Sequence, residues 1–155
     1  MSETIRDPTE DRIRSELESR FGDRVRIDKT EPRRVYVTVP REDVFDVCSF
    51  IRDALCFEHV SAVTGNDMVD RMEVVYHLSN YNTGIMIEIT TVLPADDLRV
   101  KSVSSLWEGC NWHERETYEL FGIVFEGHPK LERLLTPDTY EFYPFRKSYK
   151  LRGQP

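Results

Sequence analysis

Ile13, Leu17 and Phe21 recur four residues apart, with charged residues between them, and predict an amphipathic helix. Asp7 offers a cap, Pro8 a first helical position, Glu10 a capping-box partner and Gly22 a stop. Val25 and Ile27 then alternate with charged residues, as in a half-buried strand. Glu31-Pro32 makes a turn, and Val35, Val37 and Val39 share one face of a second strand that Pro40 stops. Arg41 to Cys56 carries the clearest helical stripe, Val44, Val47, Cys48, Ile51 and Leu55, with Glu42 and Asp43 at its positive end.

Three further strands are expected over Val60–Thr64, Met72–Leu78 and Ile85–Leu93. Gly65-Asn66-Asp67 and Asn80-Tyr81-Asn82-Thr83-Gly84 supply their turns, and the last two strands form a hairpin. Ile85, Ile87, Ile89 and Thr91 define its buried face. The order αββαβββ predicts an α+β fold: a single mixed sheet with helices packed on one side, followed by a C-terminal helix and an extended aromatic, basic tail. Pro94-Ala95-Asp96-Asp97 marks a boundary, which divides the chain into an α+β core over 1–98 and a C-terminal region over 99–155. Cys48, on the apolar stripe, is a small core residue.

Charge and composition narrow the function. The chain has 155 residues and a net charge of −7, which disfavours a general nucleic-acid binder. No apolar run approaches the ~20 residues that cross a bilayer, and Met1–Asp7 has no apolar signal-peptide core. A cytoplasmic protein is expected, held at a membrane only through something else. Three widely spaced cysteines, Cys48, Cys56 and Cys110, cannot hold a four-cysteine cluster.

The candidate chemistry lies between Trp112 and Lys147. His113-Glu114 begins like a zinc-protease helix, but Thr117 stands where the second histidine is needed. Cys110, His113 and His128 make a poor metal set. Glu114, at the edge of apolar packing, needs a cation or donors, and Arg115, Arg133 or Arg146 could supply the charge. It is open to three readings: an ion pair within the chain, one between subunits, or an acid. Glu116 and Glu119 are solvated neighbours on one helix. Gly122 ends that helix, a short strand follows, and His128 before Pro129 anchors a turn. No phosphate-binding or dinucleotide motif is present. The tail from Tyr140 to Tyr149 has neither helical nor strand period, and its aromatics and Arg146 are residue types that anchor interfaces. The plainer reading folds the tail back on its own domain.

These motifs closely resemble the 30 kDa subunit family of respiratory complex I, the NADH-quinone oxidoreductase. The resemblance runs through Asn111-Trp112-His113-Glu114-Arg115-Glu116, Phe121-Gly122-Ile123-Val124-Phe125, Gly127-His128-Pro129, Arg133 with Leu135, and Pro144-Phe145-Arg146-Lys147. Ser102 to Trp107 matches loosely. Glu119, Phe145 and Ser148 depart from the usual Asp, Leu and Asp, and the chain ends soon after, as in a short form. Short forms also occur in archaeal complexes oxidising a reduced deazaflavin or ferredoxin and in related membrane-bound hydrogenases.

The resemblance implies a hydrophilic, non-catalytic subunit of a membrane-associated quinone oxidoreductase, peripheral on the cytoplasmic face. Its partners would be the hydrogenase-like large subunit and neighbouring Fe–S subunits. This chain would hold no cofactor; the Fe–S clusters, flavin and quinone would lie in the partners. Partner-binding residues are expected at Glu114, Arg115, Glu116, Arg146 and Lys147, as inter-subunit or supporting ion pairs, with Trp112, His128 and Tyr143 as anchors. The competing reading is a small stand-alone enzyme with a carboxylate and histidine site around Glu114–Glu119 and His128.

Overall fold

The computed structural model describes residues 3–136 and 142–149. Helix α1 spans Glu10–Phe21, strands β1 and β2 Arg26–Glu31 and Arg34–Thr38, and helix α2 Val44–Leu55. Strands β3, β4 and β5 follow over His59–Asp67, Arg71–Ser79 and Met86–Pro94. The chain continues through β6 (Arg99–Lys101), α3 (Cys110–Phe121) and β7 (Val124–Glu126).

The main sheet has five strands in the order β1-β2-β5-β4-β3. Its one parallel pair is β2 with β5; the others are antiparallel. Alternation sets which face is covered. Val35, Val37, Ile87, Ile89, Val74, Tyr76 and Leu78 point into the core, while Tyr36, Glu88 and His77 point away. Ile13, Leu17 and Phe21 of α1 join this core, as do the Val44, Val47, Cys48, Ile51 and Leu55 stripe of α2. The expected α+β arrangement is therefore present. One continuous core also includes Val100, Val103, Trp107, Ile123 and Phe125 from beyond the Pro94–Asp97 boundary.

Local differences from the sequence reading have clear causes. The α1 cap is Thr9, whose hydroxyl accepts the Arg12 N–H at 3.2 Å; Asp7 lies outside the helix. Arg41–Asp43 form a 3-10 turn before α2 begins. Gly65, Asn66 and Asp67 belong to β3, and the turn falls on Met68–Asp70. Gly65 is required by packing: a Cβ there would lie 2.6 Å from Phe121 Cδ2. An additional two-stranded parallel sheet pairs β6 with β7, so the strand after Gly122 has a partner that its sequence did not reveal.

Candidate functional site

Helix α3 is the platform of the candidate site. Cys110, Glu114, Thr117 and Phe121 fall on one helical stripe and are buried towards the sheet. Thr117 Oγ1 donates to Val63 O of β3 at 2.9 Å, and Phe121 fits over Gly65. Trp107, just before the helix, donates its indole N–H to Phe57 O at 2.9 Å. The inner side of α3 is thus fixed by both apolar and polar contacts.

Glu114 has no exposed surface. It accepts the Ser102 hydroxyl at 2.6 Å and the Val103 N–H at 2.8 Å. Of the two possible sources of compensation, donors are the one present; its hydrogen-bond partners among the described residues are Ser102 and Val103. Burial raises its pKa to about 7 against the lowering effect of these two donors. Burial likewise pushes the Cys110 and Cys48 thiols up. Among the described residues, no group of three His, Cys, Asp or Glu side chains is placed to hold a metal ion.

The outer side of α3 carries residues 131–136. Glu119, read as solvated from the sequence, is fully buried beneath them. Its carboxylate accepts the Leu134 N–H at 3.0 Å, the Leu135 N–H at 2.9 Å, the Thr136 N–H, and the Thr136 hydroxyl at 2.5 Å. Burial acts to raise its pKa, but these donors outweigh it and the net shift is downwards. Arg115 Nε donates to Glu132 O at 3.1 Å, and its guanidinium lies 5.2 Å from the Trp112 ring centre. His128 anchors the approach. Its Nδ1 accepts the Lys130 N–H at 3.0 Å, which leaves Nε2–H to donate to Asn111 O, also at 3.0 Å.

Residues 142–149 close around the C-terminal end of α3. Gly122 ends the helix in the left-handed region at φ 79°, its N–H donating to Tyr118 O at 2.8 Å. Its bare Cα lets Tyr143 and Arg146 approach: a Cβ would lie 2.9 Å from Tyr143 Cε2 and would overlap Arg146. Arg146 Nε donates to Phe121 O at 2.6 Å, placing a cation on the negative end of the helix. The Phe145 N–H donates to Leu120 O at 3.0 Å. Tyr143 lies beneath two guanidinium groups, Arg146 at 4.5 Å and Arg133 at 5.2 Å from its ring centre. The Lys147 N–H reaches Asp67 at 2.8 Å. The tail's inner side therefore folds back on its own domain. Tyr140, Glu141 and residues 150–155 lie outside the described residues.

The structure separates the sequence candidates into supports and exposed groups. Glu114 is interior, while His128 and Tyr143 are half-buried braces. Arg115 and Arg146 donate to backbone carbonyls. Glu116 and Lys147 are exposed, and Trp112 is 61% exposed. Leu135 at 75% exposure and Phe142 and Phe145 at 60% each are exposed as well. Sequence reasoning placed Asp67 in a turn and read Glu119 as solvated, so it missed the hydrogen bonds each makes to the C-terminal segments, and it missed the Met68–Val69 tip. The one available signal was Asp67 two residues before Val69, the spacing of an Asx-turn.

The elements and contacts define a class: an α+β domain whose C-terminal strap is fastened across one helix and turns aromatic and basic side chains outward. The family model for the respiratory-chain NADH dehydrogenase 30 Kd subunit matches residues 37–155, and the chain belongs to that family. It is similar to a subunit of the F(420)H(2) dehydrogenase of Methanosarcina mazei, with 37% identity over 122 residues and 77% of each chain covered. It is also similar to a subunit of the NADH-quinone oxidoreductase of Citrifermentans bemidjiense, with 37% identity over 141 residues, covering 88% of this chain and 87% of the relative. Among solved structures, a chain of the membrane-bound sulfane sulfur reductase, an archaeal respiratory membrane complex, matches with a TM-score of 0.78 and 25% identity. That match covers 90% of this chain and 84% of the other.

Proposed function

We propose that this chain is a non-catalytic subunit of a membrane-associated respiratory oxidoreductase, docking on the hydrogenase-like large subunit of the peripheral arm. The observation that carries the reading is the outward face of the strap. Leu135 and Phe145 are exposed on stretches whose own backbone is tied to α3, and Phe142 and, on α3 itself, Trp112 are exposed too. Aromatics carried on stretches already fastened by backbone hydrogen bonds cost less ordering entropy when a partner covers them.

The chain's contribution is architectural. Arg115, Arg146 and Glu119 hold the strap; Trp112, Glu116 and Lys147 meet the partner. Fe–S clusters, flavin and quinone belong to the neighbouring subunits. Among the described residues no helix is long and apolar enough to cross a membrane, which fits a subunit held at the cytoplasmic face through its partners. In the stand-alone enzyme reading Glu114 and Glu119, both fully covered, are closed to a substrate, which leaves the exposed Glu116 as the reachable acid of the three.

Co-expression with the hydrogenase-like large subunit, followed by size exclusion, tests this. Co-elution that is lost when residues 140–155 are removed is the expected result. A parent chain that elutes alone would contradict it.

A further inference from the structure

We propose that the cleft between the β3–β4 hairpin tip and the tail is a socket for an extended segment of a partner subunit. The segment inserts one apolar side chain and carries a carboxylate beside it. This deepens the docking reading above and rests on it.

The cleft has a volume of about 190 Å³. That is below the roughly 300 Å³ where small-molecule sites begin, and it suits a single side chain. Met72 and Leu98 give it apolar wall, and the largely exposed Val69 also lines it. Arg71, Arg146 and Lys147 line it with positive charge, on a chain whose net charge is −7. The nearest acid, Asp67, has its two oxygens engaged by the Val69 and Lys147 N–H groups at 2.8 Å each. Lys147 makes no ion pair among the described residues, whereas Arg71 pairs with Asp70 at 3.0 Å. A carboxylate is the complement of this rim.

The hairpin tip adds an independent sign. Val69 has φ 74° and is 74% exposed. A β-branched residue is strongly disfavoured there, and glycine would occupy the position without strain. Presenting an apolar side chain to solvent in a costly conformation serves no packing purpose within the chain, and such outliers cluster at ligand clamps and switch regions. A partner segment crossing the mouth would cover Val69 and bring its acid to Lys147.

The test uses the full chain titrated with the hydrogenase-like large subunit. Val69→Gly removes the side chain while relieving the backbone, so the fold is retained. Lys147→Glu reverses a charge that makes no ion pair among the described residues. Tyr81→Ala, at the opposite end of β4, is the control. The socket predicts binding weaker by roughly tenfold in each of the first two variants, and unchanged binding in the control. The Lys147→Glu loss shrinks at high salt. Parent binding that both variants match would overturn the socket and leave docking intact. A parent that does not bind would overturn docking, and the socket with it. Self-association that Val69→Gly abolishes would make a second copy the occupant and also overturn the proposal.

Discussion

The backbone N–H of Lys147 donates to the Asp67 carboxylate at 2.8 Å, joining the tail to the β3–β4 hairpin across 80 residues of sequence. The other Asp67 oxygen accepts the Val69 N–H at 2.8 Å. One side chain therefore shapes the hairpin tip and holds the tail.

Asp67→Ala should release the tail without unfolding the sheet. Charged-acceptor hydrogen bonds contribute about 1.5–3 kcal/mol when well shielded, and partial exposure here reduces that to about 1 kcal/mol. Faster tryptic cleavage after Arg146 and Lys147 is the readout. The Lys147 and Val69 N–H groups hold the Asp67 carboxyl below its usual range. Its contribution is present above the unfolded pKa and is lost as pH falls through the lower folded pKa, so acid should loosen the parent tail.

Glu114 has the opposite sign. Burial raises its pKa from 4.5 to about 7, so the folded chain holds a proton that the unfolded chain releases between those values. Its contribution to stability is full below pH 4.5 and falls as pH rises towards 7, by on the order of 3 kcal/mol. Glu114→Gln keeps the shape: its oxygen can accept the Val103 N–H and its amide can donate to Ser102. Guanidinium midpoints from pH 5 to 8 should therefore show a shallower pH slope in the variant than in the parent.

Glu119→Ala should free residues 134–136. It removes the acceptor for three backbone N–H groups and the Thr136 hydroxyl, at a cost of roughly 2–3 kcal/mol. Because its folded pKa is lowered, the parent loses this support as pH falls through that value. Hydrogen exchange at Leu134, Leu135 and Thr136 should accelerate in the variant while α3 stays protected.

Gly65→Ala should destabilise the seat of α3. The new methyl would meet Phe121 Cδ2 at 2.6 Å, and Phe121 also packs edge-on against Phe145 at 5.8 Å between ring centres. Overpacking of this kind costs about 1–3 kcal/mol. A lower denaturation midpoint, accompanied by looser tail contacts, is the expected outcome.

The main sheet and the first two helices were legible because their residues obey simple periods. The Val44–Leu55 stripe and the Val35–Val39 alternation each bury the residues that their spacing selects. Beyond Pro94 the apolar residues that join the core are irregularly spaced, and side-chain hydrogen bonds between distant segments complete the packing, so no period marks it. Glu119 looked solvated because its partners, the N–H groups of residues 134–136, are backbone and carry no residue-type signal. Glu114 was correctly seen to need compensation, and donors from Ser102 and Val103, just after β6, supply it; nothing in their residue types marks them as its partners. Gly65 reads as a turn residue in isolation; its role depends on Phe121, 56 positions later.

The most direct measurement is hydroxyl-radical footprinting of the full chain, alone and bound to the hydrogenase-like large subunit. The account predicts protection of Trp112, Leu135, Phe142 and Phe145 on binding, with Tyr36 and His77 on the open sheet face remaining reactive. Protection confined to the sheet face, with Trp112 and Phe145 as reactive as in the free chain, would contradict it.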